Sequence, residues 1–223
     1  NNTQITYANG KTVKYTYDKA GRILTITNPL GQVTSHVYNE SGNVASITNP
    51  MGETYAYSYD SVGNVKKVVA PGNLEFSYEW DSLGRLTTYK TIHGSTTYSY
   101  GAYGPKKITS PNGSFEYAYN GKGQITEIKD ELGRKIKYAY KNDLVTAITD
   151  PVGRVQKYEY DVAQRLTKET SFDGQTVTYL YNNLGLLQEK QYADQSKEKY
   201  EYDSTRQLTK NTLRDGTSIE YTY

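Results

Sequence analysis

The chain has 223 residues with 25 Tyr, 3 Phe, 1 Trp and no Cys, and its 26 Lys and Arg nearly balance 24 Asp and Glu, for a formal charge of +2. This balance, with no basic block, argues against nucleic acid as a partner, and the lack of cysteine excludes disulfides and thiolate metal sites. No apolar run approaches the ~20 residues of a membrane-spanning helix, and the N-terminal segment is not a signal peptide.

An aromatic-x-aromatic triplet recurs along the whole chain at intervals of 19–21 residues. The second aromatic residues of these triplets are Tyr17, Tyr38, Tyr59, Trp80, Tyr100, Tyr119, Tyr140, Tyr160, Tyr181, Tyr202 and Tyr223. This uninterrupted phase is typical of a repeat protein. It predicts that residues 1–223 form one continuous array of about ten units. Because the N-terminal segment resembles the middle of a unit, we expect the chain to be a fragment of a larger protein.

The first unit shows how the repeat is built. The triplet at residues 15–17 alternates, which places both rings on one face of a strand. Asp18 can then accept hydrogen bonds from backbone N–H groups two or three residues on, and Gly21 supplies the left-handed conformation that closes a turn. A second strand follows at residues 23–26, and the Asn-Pro-Leu-Gly sequence at 28–31 predicts another tight turn. Each unit is therefore two short strands and two turns.

The same turn residues recur in later units. The predicted structural turn residues are Asp18, Gly21, Asp60, Gly63, Asp81, Gly84, Asp161 and Asp203. Asn replaces the Asp at Asn39, Asn120 and Asn182, which a turn-capping acceptor tolerates and a metal ligand would not. Gln164 and Arg206 replace the Gly, so these turns should carry strain of roughly 1 kcal/mol or adopt another geometry. Leu86 and Tyr89 break strict alternation, which predicts a β-bulge.

Ten hairpins amount to about twenty strands, whereas open twisted sheets rarely exceed about 10 strands without curling or splitting. We therefore expect an all-β fold: a single long antiparallel β-meander that curls into a spiral sheet or partial hollow shell. Its wall should be lined by a tyrosine ladder, formed by the second aromatic of each triplet from Tyr17 to Tyr202. The uninterrupted phase excludes a propeller, whose blades need a break about every 40 residues.

Segments such as YSYDSVGNV, YEWDSLGRL and ITDPVGRVQKYEYD resemble the YD repeats of the Rhs/YD-repeat family. This family includes bacterial Rhs polymorphic toxins, wall-associated proteins, the C components of Tc toxins, and teneurins. The resemblance covers essentially the whole chain. It implies a hollow β-shell that, in the toxin members, encloses a C-terminal toxin domain. It also implies a secreted or bacterial cell-surface protein, present in the cytoplasm before export, whose partners are flanking repeats and the enclosed domain.

No residue pattern indicates catalysis. The two histidines, His36 and His93, lie at a strand position and before a turn glycine, and no Ser lies in a GxSxG sequence. The turn aspartates could bind calcium only if several oxygens converged, and the Asn replacements favour turn capping instead. The family's aspartyl autoprotease lies beyond the repeats, and no such segment is found here. We expect no enzymatic activity, no cofactor and no metal.

The tyrosine ladder allows a second function, because exposed aromatic rows can bind sugars by stacking. A carbohydrate-binding or adhesive surface module, with surface glycans as partners, is therefore the alternative. Choline binding is disfavoured because its aromatic cages favour Trp and the chain has one. Unpaired strand edges at Asn1 and Tyr223 would also allow edge-to-edge self-association.

Overall fold

The computed structural model describes residues 3–223 of the chain, so the strand edge expected at Asn1 lies outside the described residues. The chain divides into two compact units, each of which contains several of the 19–21-residue repeats. The first comprises residues up to 100 together with 107–114, and the second comprises residues 101–106 and 115–223.

The described chain contains 22 strands. The first unit holds β1 (Gln4–Thr6), β2 (Thr12–Tyr17), β3 (Ile23–Thr27), β4 (Val33–Tyr38), β5 (Val44–Thr48), β6 (Thr54–Tyr59), β7 (Val65–Ala70), β8 (Leu74–Trp80), β9 (Leu86–Thr91) and β10 (Gly94–Tyr100). The unit boundaries fall inside β11 (Pro105–Ser110) and β12 (Gly113–Tyr119). The second unit continues with β13 (Ile125–Asp130), β14 (Lys135–Lys141), β15 (Leu144–Thr149), β16 (Val155–Tyr160), β17 (Leu166–Thr170), β18 (Thr176–Tyr181), β19 (Leu187–Tyr192), β20 (Lys197–Tyr202), β21 (Leu208–Thr212) and β22 (Ser218–Glu220).

Within each unit, every strand pairs antiparallel with its neighbours in sequence, from β1 to β10 and from β12 to β22. The predicted all-β antiparallel meander is therefore confirmed. Between residues 3 and 223, helical structure is limited to a single 3-10 turn at Pro71–Asn73. No helix in this range is long and apolar enough to span a membrane.

The hairpins alternate between two ladder types, and β2–β3–β4 shows both. The β2–β3 ladder pairs Thr16 with Thr25 and Tyr17 with Ile23, so Leu24 is left as the extra residue of a β-bulge. The next ladder, β3–β4, is shorter and ends at the pair of Thr25 with Ser35.

The bulge predicted from Leu86 and Tyr89 is confirmed in the β8–β9 ladder. There Glu79 pairs with Thr88 and Trp80 with Leu86, so Thr87 is the extra residue. By shifting the register by one, the bulge returns Leu86 and Tyr89 to the same face of the sheet.

The two faces of the strands differ in exposure. In β2, Tyr15 and Tyr17 are half-buried, whereas Lys14 and Thr16, which alternate with them, are exposed. We call the face that carries the triplet aromatics the tyrosine face. No residue between 3 and 223 is fully buried, so neither unit encloses a core of its own.

Candidate functional site

The turn after the first triplet is organised by Asp18. Its Oδ1 accepts hydrogen bonds from the backbone N–H groups of Ala20 and Arg22, both at 2.9 Å. The backbone N–H of Gly21 donates to the Asp18 carbonyl at 3.0 Å, and the Asp18 N–H donates to the Arg22 carbonyl at 2.9 Å. Gly21 has φ +82°, a conformation that glycine adopts without steric cost. The acceptor bonds therefore reach two and four residues on, one residue further than the sequence suggests.

The other predicted turn residues occupy equivalent positions. Oδ1 of Asp60, Asp81, Asp161 and Asp203 accepts backbone N–H groups in the same way. Gly63 and Gly84 have φ values of +101° and +73°. Gln164 and Arg206 keep the left-handed geometry that glycine has elsewhere, with φ values of 64° and 70°. These two turns therefore retain the same shape, with a side chain in a conformation that favours glycine.

An arginine four residues after the aspartate extends the turn, and our reading of the sequence missed it. Nε of Arg22 donates to Asp18 Oδ2 at 2.6 Å, and its guanidinium carbon lies 4.6 Å from the ring centre of Tyr38 on the next triplet. Arg85 and Arg165 repeat this arrangement over Tyr100 and Tyr181, at 4.4 Å and 4.6 Å. The signal was present in the sequences DKAGR, DSLGR and DVAQR.

These contacts stabilise the ionised form of the turn carboxylate. The pKa of Asp18 is lowered, chiefly because the backbone N–H of Arg22 donates to it, while desolvation opposes this and the Arg22 side chain adds to it. Asp81 has the same balance with Arg85, so its pKa is lowered as well. Each carboxylate is thus committed to its own turn. Among residues 3–223, no cluster of three or more His, Asp or Glu side chains could hold a metal ion.

The second aromatic of each triplet makes a hydrogen bond that connects successive units. The hydroxyl of Tyr38 donates to the backbone carbonyl of Ile23 at 2.8 Å. This occurs because the β3–β4 ladder ends at Thr25 and Ser35, which leaves the Ile23 carbonyl beyond the last backbone pair. We call this contact a tyrosine bridge.

The bridge recurs in ten successive repeats of the sequence. The donor–acceptor pairs are Tyr38–Ile23, Tyr59–Val44, Trp80–Val65, Tyr100–Leu86, Tyr119–Pro105, Tyr140–Ile125, Tyr160–Val145, Tyr181–Leu166, Tyr202–Leu187 and Tyr223–Leu208, at 2.7–3.1 Å. Trp80 uses its indole N–H in place of a hydroxyl. In the first unit, Tyr17 lies 6.4 Å from Tyr15 in a stacked arrangement. Within each compact unit, the second aromatic residues from Tyr38 onward are therefore each joined by a hydrogen bond to the backbone of an earlier strand.

The bridge requires a protonated hydroxyl, and the surroundings favour that form. Burial, with a smaller contribution from the neighbouring tyrosine, raises the pKa of Tyr59, Tyr119 and Tyr140. Burial likewise raises the pKa of Tyr160 and Tyr202. A tyrosinate could not donate a hydrogen bond to the carbonyl. The raised pKa therefore favours the protonated hydroxyl that the bridge requires.

The two histidines lie in different settings in the described chain. His36 lies on β4 opposite Ile47, and its Nδ1 is shielded from solvent with no hydrogen-bond partner in the described chain. His93 lies in the exposed connection between β9 and β10, where its backbone N–H donates to Thr91 Oγ1. Neither ring forms a salt bridge with a carboxylate in residues 3–223.

Comparison with known proteins bears directly on this repeat. A family model described as Teneurin YD-shell matches residues 1–144, which is more than half of the chain. The chain belongs to the YD-shell family. A second model, described as RHS Repeat, matches residues 140–176 of the YD-shell chain. Both describe shell and repeat sequences rather than enzymes. No curated protein sequence matches the chain.

Solved structures of Tc toxin components share the fold of the YD-shell chain. The crystal structure of TcdB2-TccC3 without its hypervariable C-terminal region has a TM-score of 0.69 at 14% identity, covering 99% of this chain and 14% of that one. TcdB2-TccC3-TEV has a TM-score of 0.62 at 14% identity, with coverages of 89% and 12%. The Photorhabdus luminescens Tc holotoxin pore has a TM-score of 0.60 at 14% identity, with coverages of 93% and 14%. The YD-shell chain thus spans about one-seventh of the chains that it matches.

Proposed function

We propose that residues 1–223 form one continuous stretch of the wall of a larger β-shell, and that this shell encloses a C-terminal toxin domain of a secreted or surface-exposed bacterial protein. In this role the fragment has no enzymatic activity and binds no cofactor. Its turns and tyrosine bridges hold the wall together, and flanking repeats extend it so that the sheet curls around a cavity.

The observation that carries this proposal is the exposure of the sheet. The tyrosine face is half-buried and rich in apolar and aromatic side chains, yet no residue between 3 and 223 is fully buried. A sheet normally buries one face against another layer. A single-layer sheet with such a face is suited to line a cavity in which further protein supplies the second layer.

Family membership and fold support the same role. The chain matches a shell family, and the Tc toxin structures that share its fold are about seven times longer than the chain. One of these was determined without a hypervariable C-terminal region. A variable domain enclosed by a common wall is the arrangement that we propose for the parent of this chain.

Among residues 3–223, no contact favours the alternative of a glycan-binding module. Sugar stacking would need free ring faces with polar groups available beside them. The hydroxyls of the bridging tyrosines are instead committed to backbone carbonyls, as for Tyr59 and Val44 at 2.7 Å. One face of each of the rings of Tyr38, Tyr100 and Tyr181 is occupied by an arginine.

The test uses the parent protein. Its reading frame should contain dozens more repeats followed by a variable C-terminal domain, and limited proteolysis should leave that domain intact while the shell is folded. The same domain, expressed alone or after the shell is denatured, should be digested. A parent without further repeats, or a C-terminal domain cleaved equally fast in both settings, would contradict the proposal.

A further inference from the structure

One row of the tyrosine face changes chemistry along the chain. This row contains the residue directly opposite the first aromatic position of each triplet, on the neighbouring strand. Its members, in the ladders that lie within one compact unit, are Ile26, Ile47, Val68, Tyr89, Ile128, Ile148, Glu169, Lys190 and Asn211. The row is therefore apolar or aromatic up to Ile148 and polar in its last three members.

Glu169 is a half-buried carboxylate held only by neutral groups. Its Oε1 accepts a hydrogen bond from Gln156 Nε2 at 2.7 Å, and its Oε2 accepts one from the Tyr179 hydroxyl at 3.2 Å. Tyr158 lies directly opposite on β16, so its ring flanks the carboxylate on the same face. In the described chain, Glu169 forms no salt bridge with any lysine, arginine or histidine.

The surrounding tyrosines respond to this charge. Burial raises the pKa of Tyr158 and Tyr160, and the negative charge of Glu169 raises each further. Tyr179 follows the same pattern, with burial as the larger cause and Glu169 as the next. One negative charge thus lies among three tyrosines, and the nearby cation, Lys190 opposite Tyr179, forms its salt bridge with Glu198 rather than with Glu169.

The next member of the row, Lys190, has its charge neutralised by a carboxylate of the same sheet. Lys190 lies 3.6 Å from the Glu198 carboxylate and 5.6 Å from the ring centre of Tyr200. The Tyr200 hydroxyl in turn donates to Glu198 at 2.9 Å. Lys190 therefore contacts both a carboxylate and an aromatic ring of its own sheet. Glu169, Tyr158 and Tyr179 provide the same two kinds of group, a carboxylate and aromatic rings, but no cation of the described chain is bound between them.

We propose that Glu169, Tyr158 and Tyr179 form a binding site for the guanidinium or ammonium group of an arginine- or lysine-bearing polypeptide segment that lies against the tyrosine face. Charge complementarity identifies the occupant, because a half-buried carboxylate is stabilised most by a charged donor. A tyrosine ring adds attraction for a cation above its face, and arginine suits both contacts through its planar donor fork. A metal ion is a poorer match, since a single carboxylate supplies too few oxygen ligands.

Asn211 gives an independent indication of a partner that donates hydrogen bonds. Its Oδ1 is shielded from solvent and accepts no hydrogen bond in the described chain. It lies four strands from Glu169, which is about 19 Å at the usual strand spacing. A segment crossing the strands could therefore place a cation on Glu169 and a donor on Asn211. That the segment belongs to the enclosed domain of the parent rests on the proposed shell function, whereas the cation site itself does not.

The experiment titrates the full 223-residue chain with the peptide acetyl-Gly-Arg-Gly-amide and follows backbone amides by two-dimensional NMR. We expect saturable shifts confined to residues 156–160, 167–170 and 177–181. The analogue with citrulline in place of arginine is nearly isosteric but neutral, and it should bind at least about tenfold more weakly. Shifts that do not saturate, or equal binding of the two peptides, would overturn the proposal.

Two variants and one matched control assign the site. Glu169→Gln should weaken arginine-peptide binding about tenfold. Glu169→Ile should weaken binding to the same extent. Because isoleucine is the residue that the row has at Ile148, this variant should fold, and it therefore separates lost binding from a folding defect in Glu169→Gln. Glu159→Gln removes the same charge from the opposite face of the adjacent strand, where Glu159 is 63% exposed and pairs with Lys168, and it should bind like wild type. Equal loss in Glu159→Gln and Glu169→Gln would show a general charge effect and refute the site. Failure here would leave the protease-protection test of the shell unaffected.

Discussion

The tyrosine bridge makes a specific prediction for the substitution Tyr59→Phe. This change removes only the hydroxyl, which donates to the Val44 carbonyl at 2.7 Å in a partly buried position. A net hydrogen bond of this kind contributes about 0.5–1.5 kcal/mol, and an acceptor left partly unsatisfied adds to the loss. We therefore expect Tyr59→Phe to lower the free energy of unfolding by about 1–2 kcal/mol.

A matched control lies two residues away on the same strand and the same face. Tyr57 is directly opposite Val68, and its hydroxyl makes no hydrogen bond within the described chain. Tyr57→Phe should therefore change the free energy of unfolding by no more than about 0.5 kcal/mol. The same logic applies to Trp80, where Trp80→Tyr keeps a donor in the row and Trp80→Phe does not.

The assay is urea and thermal unfolding of each variant, monitored by circular dichroism and tyrosine fluorescence. A loss of 1–2 kcal/mol corresponds to a decrease in Tm of roughly 2–8 °C for a chain of 223 residues. The decisive quantity is the difference between the two phenylalanine variants, because both remove one hydroxyl from the same face. If Tyr57→Phe is as destabilising as Tyr59→Phe, the bridge does not contribute to stability.

Three further predictions concern the turns. Gly63→Val places a β-branched residue at φ +101° and should lower the free energy of unfolding by a few kcal/mol. Asp60→Asn keeps the Oδ1 acceptor and should leave the free energy of unfolding nearly unchanged. Equal effects in urea unfolding would show that the turn assignment is wrong. Gln164→Gly and Arg206→Gly should each stabilise the chain by up to about 1 kcal/mol by relieving a left-handed side-chain position, and a decrease in the urea midpoint would contradict this. The pKa of turn aspartates such as Asp18 is lowered in the folded chain. Their contribution to the free energy of unfolding is therefore complete above the unfolded pKa of about 3.9 and is lost as pH falls through the folded pKa. A urea midpoint that stays constant down to about pH 2 would contradict this.

The strands and turns were predictable because their causes are local in sequence. Alternation in the triplet at residues 15–17 determines which face the rings occupy, and the spacing of Asp18 and Gly21 determines the turn. Even the bulge could be inferred, since Leu86 and Tyr89 can share a face only if one residue between them is left out of the ladder.

The tyrosine bridge was not predictable in the same way, because it depends on where backbone pairing stops. The hydroxyl of Tyr38 finds the Ile23 carbonyl only because the β3–β4 ladder ends at Thr25 and Ser35. No periodicity in the sequence marks that end. The arginine stack is an intermediate case: the spacing of Asp18 and Arg22 is visible in the sequence, but the contact of Arg22 with Tyr38 requires the neighbouring strands to be placed first.

The bridges also explain why the period of the repeat can vary without loss of the fold. Most bridges join residues 15 apart, but those of Tyr100 and Tyr119 join residues 14 apart. The hairpins within these two have shorter turns, as where Thr91 pairs directly with Gly94 around two connecting residues. A deletion in the turn therefore shortens the sequence separation without moving the donor from its carbonyl. The constraint on each unit is thus the register of its second aromatic residue against the preceding strand. Because each bridge joins one unit to the next, stability should depend mainly on contacts between neighbouring units, as in other repeat proteins.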